Sequence, residues 1–134
     1  MAKTWNEKLR SKNEPHVEVL DKAYGGLLPG QKLFIASPLL VKQFMDGIGR
    51  GKTVSVVAMR EQLAKRNKAD GTCALSTGIF VRIAAEAAWE DLQRGMPADA
   101  ITPFWRMVEP GSPLAGKLAC GKEFILQMRA AEAG

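Results

Sequence analysis

Residues 102–108, with the sequence Thr-Pro-Phe-Trp-Arg-Met-Val, combine two adjacent aromatic side chains with one arginine. Because proline disfavours helix in the residue before it, we expect this stretch to run extended. Phe104 and Trp105 would then point in opposite directions, so only one of them could face the core. The other could pack under a loop, as tryptophan usually does, or offer a stacking surface to a ligand or a nucleic-acid base.

The other side chains able to do chemistry are two cysteines, Cys73 and Cys120, and one histidine, His16. The cysteines lack the spacing of a zinc site, and one histidine in a polar segment supplies neither a multi-histidine metal site nor a catalytic triad. Cys73 precedes a predicted helix start, where the helix dipole could stabilise a thiolate. The sequence predicts no metal, no cofactor and no enzyme activity, and an enzyme using either cysteine is the remaining catalytic alternative.

Gly51, Lys52 and Thr53 resemble the end of a phosphate-binding loop. That motif requires a glycine where this chain has Asp46, and it follows a strand, whereas this segment follows a predicted helix. We therefore interpret the segment as a glycine-rich turn with basic residues.

The net charge of +5 is concentrated in one part of the chain. Between residues 50 and 68, six basic residues accompany a single acid, Glu61. Such a cluster suits a phosphate backbone, although charge runs more often form a solvated face. We call this cluster the basic segment; its members are Arg50, Lys52, Arg60, Lys65, Arg66 and Lys68.

The composition, with 46% apolar and 25% charged residues, is typical of a soluble globular protein, and 134 residues fit one domain. No apolar run approaches the roughly 20 residues of a membrane span, and the first residues lack an apolar secretion signal. We therefore expect a cytoplasmic protein without membrane contact. Residues 1–36 predict an irregular N-terminal arm, with a short helix near Trp5 and a brief extended segment over 31–36, and residues 37–134 form the main domain.

Hydrophobic spacing and capping residues predict a mainly α-helical domain. Ser37, followed by proline, starts a helix that runs to about residue 46, and Ser55 starts a second over 57–66. A last helix follows Gly121.

The longest predicted helix covers residues 77–93 and starts at Ser76. The second helix and this one, joined by a polar turn, suggest a helix-turn-helix, and residues 109–117 suggest a wing or hairpin loop. The apolar face of the longest helix is predicted to contain Ile79, Phe80, Ile83, Ala84, Ala87 and Ala88.

The order of these motifs is similar to that of a known family. Residues 37–134 resemble the C-terminal DNA-binding domain of O6-alkylguanine-DNA alkyltransferases, and more closely the non-catalytic alkyltransferase-like proteins. The resemblance includes the turn at Gly51 and Lys52, Cys120 and Gly121 at the position of a Gly-Gly pair, and a last helix that carries Glu132. It is strongest over residues 102–108, which are similar to the family's Ile-Pro-Cys-His-Arg-Val-Val active-site motif. It implies a winged helix-turn-helix-like fold with a small β component.

In this comparison the family's alkyl-accepting cysteine falls on Phe104, and the histidine that activates it falls on Trp105. A phenyl ring cannot form a thioether, so the resemblance implies a protein that binds DNA without transferring alkyl groups. Alkyltransferase-like proteins usually carry tryptophan at the cysteine position, which an aromatic residue here matches. The predicted pocket for a modified base consists of Pro103, Phe104, Trp105 and Arg106.

Three further positions depart from the family. The tyrosine that assists nucleotide flipping aligns near Val56, the arginine that fills the vacated base stack near Thr77, and a tyrosine of the active-site wall near Leu118. Flipping requires unstacking of a base, which the family offsets partly with the first two groups. DNA binding is therefore the primary expectation, and recognition of an alkylated base is an extension of it.

The predicted partner is double-stranded DNA, with or without alkylated bases. The alternatives are a general DNA binder without lesion preference and a winged-helix module that binds a small molecule or a protein. Glu86, Glu90 and Asp91 favour the last alternative, because they would meet phosphate repulsion if their helix entered a groove. The predicted DNA contacts are Arg50, Lys52, Arg60, Lys65, Ser76 and Thr77.

Overall fold

A computed structural model describes residues 3–11 and 14–133 of the chain. It is mainly helical with a small sheet, as the sequence predicted. In the described residues, no helix combines the length and apolar character needed to cross a membrane. The elements in chain order are α1 (Trp5–Leu9), β1 (His16–Val19), β2 (Lys32–Ile35), α2 (Pro38–Asp46), α3 (Val56–Arg66), β3 (Gly71–Thr72), α4 (Ala74–Gln93), a 3₁₀ turn (Phe104–Arg106), α5 (Pro113–Lys117) and α6 (Gly121–Ala133).

The sheet has three strands in the order β1-β2-β3. β1 pairs with β2 antiparallel, and β2 pairs with β3 in parallel, with Phe34 opposite Thr72. β1 is exposed along its whole length, whereas Leu33 and Phe34 of β2 are buried. The sheet therefore contributes to the core mainly through its central strand.

The N-terminal segment is more regular than predicted and packs into the same core as the rest of the chain. Leu9 and Phe34 belong to the cluster of buried residues that also contains Val81 of α4. Residue 36 therefore does not divide two separately packed units.

Helices α2 and α3 confirm the predicted starts. Ser37 accepts a hydrogen bond from the Leu40 amide, and Ser55 accepts one from the Ala58 amide. Both hydroxyls satisfy amide groups that have no partner within the first turn of a helix.

The central helix, α4, packs against α1 and α2. The prediction that Ser76 starts it was wrong, because the Cys73 amide donates to the Phe34 carbonyl and the chain enters the helix directly from β3. The predicted apolar face is confirmed for Ala84, Ala87 and Ala88, which are buried, and Phe80 and Ile83 pack against the core, whereas Ile79 is 53% exposed. The residues that α4 buries are Thr77, Val81, Ala84, Ala85, Glu86, Ala87 and Ala88.

Residues 102–108 are not extended, so that prediction was wrong. Pro103 caps a 3₁₀ turn, in which consecutive side chains are about 120° apart instead of opposite. Phe104 and Trp105 can therefore both enter the core, and they are 0% and 2% exposed.

The predicted wing-like loop, residues 109–117, contains helix α5. Ser112 accepts a hydrogen bond from the Ala115 amide, and Pro113 occupies the first turn. This is the same serine–proline start that marks α2.

Candidate nucleic-acid interface

The turn between α2 and α3 positions Arg50 and Lys52. Its backbone is fixed on one side by the Val54 amide, which donates to the Arg106 carbonyl over 2.9 Å. Gly51 has a φ of +79°, and a Cβ there would lie 3.3 Å from the Glu132 carbonyl oxygen. The left-handed backbone therefore favours glycine, and the close approach of α6 leaves little room for a side chain.

Lys52 lines the same cavity as Arg66, a residue that was not among the predicted contacts. The two side chains line a shallow cavity of about 340 Å³ between α2, the turn and α3. The Arg66 guanidinium lies 5.4 Å from the centre of the Phe44 ring, which holds it over this surface by a cation–π contact. Both belong to the basic segment, and only their three-dimensional proximity distinguishes them from its other members.

Arg60 has a structural role. Its Nε and Nη2 donate to the Thr72 carbonyl over 3.2 and 3.1 Å, and the Thr72 hydroxyl donates to the Arg60 carbonyl. These bonds join α3 to β3. Lys65 is exposed, but it shares a cavity of about 310 Å³ with Glu61 and Asp70, whose charges reduce the positive potential there.

The first turn of α4 does not present the predicted hydroxyls to solvent. Thr77 is 0% exposed, and its hydroxyl donates to the Cys73 carbonyl. Ser76 is half-buried. The side chains that this turn exposes are instead apolar, with Leu75 69% and Ile79 53% exposed.

Phe104 is 0% exposed and belongs to an aromatic cluster within the core. Its ring centre lies 5.5 Å from that of Trp105 and 5.9 Å from that of Phe124, and Trp89 packs edge-on against Phe124. The cluster fixes the 3₁₀ turn between α4 and α6. Phe104 is therefore a core residue, and the prediction that it forms a base pocket was wrong.

Three of the four predicted pocket residues do line a cavity, of about 500 Å³. Pro103, Trp105 and Arg106 form one wall, and Arg50 lies at its edge. The Trp105 indole Nε1 is buried and makes no hydrogen bond of good geometry, but it interacts with the Glu132 carboxylate and helps to lower its pKa. The other lining residues, which include Asp46, Asp99, Met128 and Glu132, were not predicted from the sequence to belong to this pocket.

Arg106 is held by internal partners. Its Nη2 donates to Glu132 Oε2 over 2.7 Å, its Nε contacts both oxygens of that carboxylate, and its Nη1 donates to the Ile48 carbonyl. These charge-assisted bonds lower the pKa of Glu132 to about 2, despite the opposing effect of burial. Arg106 therefore joins the turn between α2 and α3, the 3₁₀ turn and α6. Few of its N–H groups are left to donate to a phosphate.

The basic segment differs from three other arginines in its lack of acidic partners. Arg82, Arg106 and Arg129 pair with Glu86, Glu132 and Glu109 at 3.6, 2.7 and 3.1 Å. Across the described residues, no side chain of the basic segment forms an ion pair with a nitrogen–oxygen distance of 4.0 Å or less.

The acidic residues of α4 face internal partners. The Glu90 carboxylate accepts hydrogen bonds from the Trp5 and Asn6 amides, which fixes the start of α1. Glu86 is buried and accepts one from the Ala119 amide, and Asp91 accepts one from the Asn6 side chain. They therefore stabilise the packing of neighbouring segments on α4, which removes the support that they gave to the protein-binding or small-molecule alternative.

The two cysteines have different environments. Burial and the nearby Glu86 carboxylate raise the pKa of Cys120 to about 11. Burial also raises the pKa of Cys73, but the polar groups of Ser76 and Tyr24 outweigh it and the net pKa is lowered. Among residues 3–11 and 14–133, no three His, Cys, Asp or Glu side chains are grouped so that they could hold a metal ion.

The site thus consists of two adjoining parts: the cationic surface at Lys52 and Arg66, and the cavity between Arg50 and Trp105. The first part suits a polyanion, and the second has the size of a small-ligand site. Comparison of the chain with protein-family models, curated proteins and solved structures found no match.

Proposed function

We propose that this chain is a non-catalytic DNA-binding protein of the alkyltransferase-like type. The observation that carries the proposal is the basic segment, whose exposed cations have no carboxylate partners in the described part of the chain. A phosphate backbone would release counterions on meeting these cations, which is the main source of sequence-independent affinity. Lys52 and Arg66 are the central contacts, because they share one surface.

In this proposal α3 and α4 form a helix-turn-helix, and α5 stands where a wing would be expected. The exposed first turn of α4 is apolar, so phosphate contacts come from the turn before α3 and from α3 itself. Arg60 supports this arrangement indirectly by holding α3 against β3.

Recognition of an altered base is an extension of the proposal. The cavity beside Arg50 has a volume of about 500 Å³, within the range of roughly 300–1,000 Å³ of small-ligand sites. Trp105 lines it and carries a buried indole N–H that makes no hydrogen bond of good geometry, although it interacts with the Glu132 carboxylate. A base that entered the cavity would offer acceptor atoms to that donor.

Alkyl transfer is not part of the proposal. Phe104 carries no nucleophile, and the raised pKa of Cys120 keeps its thiol protonated at neutral pH. Intact-mass measurement after incubation with duplex DNA containing O6-methylguanine should show no added methyl group. A methyl adduct on Cys73 or Cys120 would contradict this part of the proposal.

DNA binding is tested by fluorescence anisotropy with a labelled duplex of about 20 base pairs at salt concentrations from about 50 to 200 mM. We expect saturable binding in the micromolar range that weakens as salt rises. The double variant Lys52→Glu/Arg66→Glu should bind at least about 10-fold more weakly. The matched control is Lys22→Glu/Lys122→Glu, which removes two exposed cations elsewhere and changes the net charge equally. Absence of binding at low salt, or equal losses in both variants, would contradict the proposal.

Lesion recognition is tested with the same duplex carrying one O6-methylguanine. Preferential binding of at least about 5-fold would support a base-binding cavity. Ala100→Phe fills part of the cavity from an exposed position. It should abolish the preference while binding to the unmodified duplex is retained. Equal binding of both duplexes by the unaltered protein would reduce the function to general DNA binding.

A further inference from the structure

An open groove of about 650 Å³ lies between α1, α4 and α5. Its floor is an apolar stripe on α4 at a spacing of four residues: Leu75, Ile79 and Ile83. Leu75 is 69% and Ile79 is 53% exposed. Ile83 is half-buried and packs against the core, so the exposed part of the stripe consists of Leu75 and Ile79. Single exposed apolar residues are common in soluble proteins, whereas adjacent ones that line a groove are typical of an interaction site.

The walls of the groove are held by specific contacts. Trp5 forms one wall, and the Glu90 carboxylate fixes the start of its helix by accepting its amide hydrogen bond over 2.9 Å. Leu114 of α5 forms the other, and Arg82 donates to the Lys117 carbonyl at 3.4 Å to hold α5 beside α4. The groove is therefore formed before any partner binds.

The charged side chains along the groove are all positive. Lys8, Arg82 and Lys117 line it, and within the described residues no aspartate or glutamate does. Arg82 is partly neutralised by Glu86 at 3.6 Å, and the half-buried Lys8 places its Nζ 4.2 Å from the centre of the Trp5 ring, whereas Lys117 is exposed. In the described chain neither lysine forms an ion pair, so both charges can meet an acidic partner. They lie on α1 and α5, one on each side of the apolar floor.

The openness and the positive charge of the groove indicate which kind of molecule could bind there. A small ligand normally loses most of its surface to an enclosing cavity, whereas this floor is widely open. A second copy of the chain, docked groove to groove, would bring like charges together. An amphipathic helix satisfies both constraints, because its apolar face covers the stripe and acidic residues on its flanks meet the two lysines.

We propose that this groove docks an acidic amphipathic helix of a partner protein. The stripe from Leu75 to Ile83 is about 12 Å long, which corresponds to about two turns of the bound helix. The proposal uses no residue of the basic segment, and it requires that the exposed face of α4 lie outside the DNA interface. Together the two surfaces would allow the chain to link a second protein to a nucleic acid.

The test uses a synthetic helical peptide of about 14 residues, with leucines at helical spacing along one face and glutamates on both flanks. The full chain labelled with ¹⁵N and ¹³C is titrated with this peptide and observed by NMR. We expect a dissociation constant of about 10–100 μM. The shifted signals should come from the methyl groups of Leu75 and Ile79 and from the Trp5 indole.

Two peptide controls separate charge from apolar contact. Replacement of every glutamate by lysine should weaken binding at least about 10-fold, as should replacement of the leucines by alanine. The protein variant Leu75→Ser/Ile79→Ser should also weaken it at least about 10-fold, and its matched control, Val19→Ser/Leu28→Ser, changes exposed apolar residues elsewhere and should have no effect. Retained NMR dispersion in each variant shows that its fold is intact.

Several results would overturn the proposal. These are no saturable shifts up to about 1 mM peptide, equal binding of the lysine-substituted peptide, and unchanged binding by Leu75→Ser/Ile79→Ser. If duplex DNA shifted the Leu75 and Ile79 methyl groups and displaced the peptide, the groove would belong to the DNA interface. If laurate bound there and the peptide did not, the groove would be a small-ligand site. A failure of DNA binding with retained peptide binding would affect only the proposed function.

Discussion

The arginines around the 3₁₀ turn and the exposed members of the basic segment carry the same charge in different surroundings. Arg106 directs its guanidinium at the Glu132 carboxylate and the Ile48 carbonyl. Lys52 is exposed and has no carboxylate partner in the described chain. The first cation stabilises the fold, and the second is available to an external anion.

This difference shows that proximity in sequence does not assign a basic residue to a binding surface. Arg60 lies within the basic segment, yet it donates twice to the Thr72 carbonyl and joins α3 to β3. Arg66, six residues later, reaches the surface beside Lys52. The number of internal acceptors around each guanidinium therefore distinguishes a structural cation from a binding one.

The strongest test of this contrast is Arg106→Gln. Removal of one member of this partly buried ion pair leaves the other charge largely uncompensated, and we expect a loss of about 3 kcal/mol in the free energy of unfolding, measured with urea. Lys52→Gln, which removes an exposed cation, should change it by less than about 0.5 kcal/mol. Equal effects of the two variants would contradict the distinction between structural and binding cations.

The pH dependence of stability tests the same ion pair without changing Arg106. The pKa of Glu132 is lowered from 4.5 to about 2 in the folded protein. Its contribution is therefore complete above the unfolded pKa and is lost as pH falls from about 5 towards 2. The unaltered protein should lose about 2 kcal/mol more than Glu132→Gln over this range, measured by urea unfolding at each pH. Parallel curves for the two proteins would contradict the proposed role of Glu132.

Much of the helical framework could be predicted from the sequence, because local signals determine it. Ser37 and Ser55 cap helices where predicted, since a side-chain oxygen satisfies amides within the next turn. The same signal at Ser112 and Pro113 was missed, because the surrounding glycines and prolines suggested a loop. The start of α4 could not be found locally, since it depends on a hydrogen bond from Cys73 to Phe34, which belongs to another strand.

The candidate site was less predictable than the fold, because it depends on distances across the chain. The sequence identified the basic segment, but it could not show that Arg60 is bonded internally or that Arg66 adjoins Lys52. It indicated a special role for residues 102–108, but the assumption of an extended backbone placed one of the two aromatic residues outside the core. The 3₁₀ turn changes the angle between consecutive side chains, and both are buried.

Arg129 provides an intermediate case between the two sets of cations. It is 23% exposed, yet it donates to the carbonyls of Trp105 and Val108 and pairs with Glu109 at 3.1 Å. We expect Arg129→Gln to lower the free energy of unfolding by about 1–2 kcal/mol, because the two carbonyls lose their donor but one edge of the site is open to water. Urea unfolding measures this effect. If Arg129→Gln lowered the free energy of unfolding as much as Arg106→Gln, the greater exposure of Arg129 would not reduce the cost of removing its hydrogen bonds.

The smallest expected effects are those of Lys52→Gln and Arg60→Gln, which distinguish a binding cation from a structural one within the basic segment. The logarithm of the DNA-binding constant falls linearly with the logarithm of the salt concentration. Lys52→Gln should make this negative slope shallower by about 0.9, the value for one phosphate contact, with little change in the free energy of unfolding. Arg60→Gln should leave this slope unchanged and lower the free energy of unfolding by about 1 kcal/mol, because the Thr72 carbonyl loses its donors. Anisotropy titrations at several salt concentrations and urea unfolding of the same samples measure both quantities. If Arg60→Gln also flattened the slope, its guanidinium would contact phosphate despite its internal bonds, and internal bonding would no longer separate the structural cations from the binding ones.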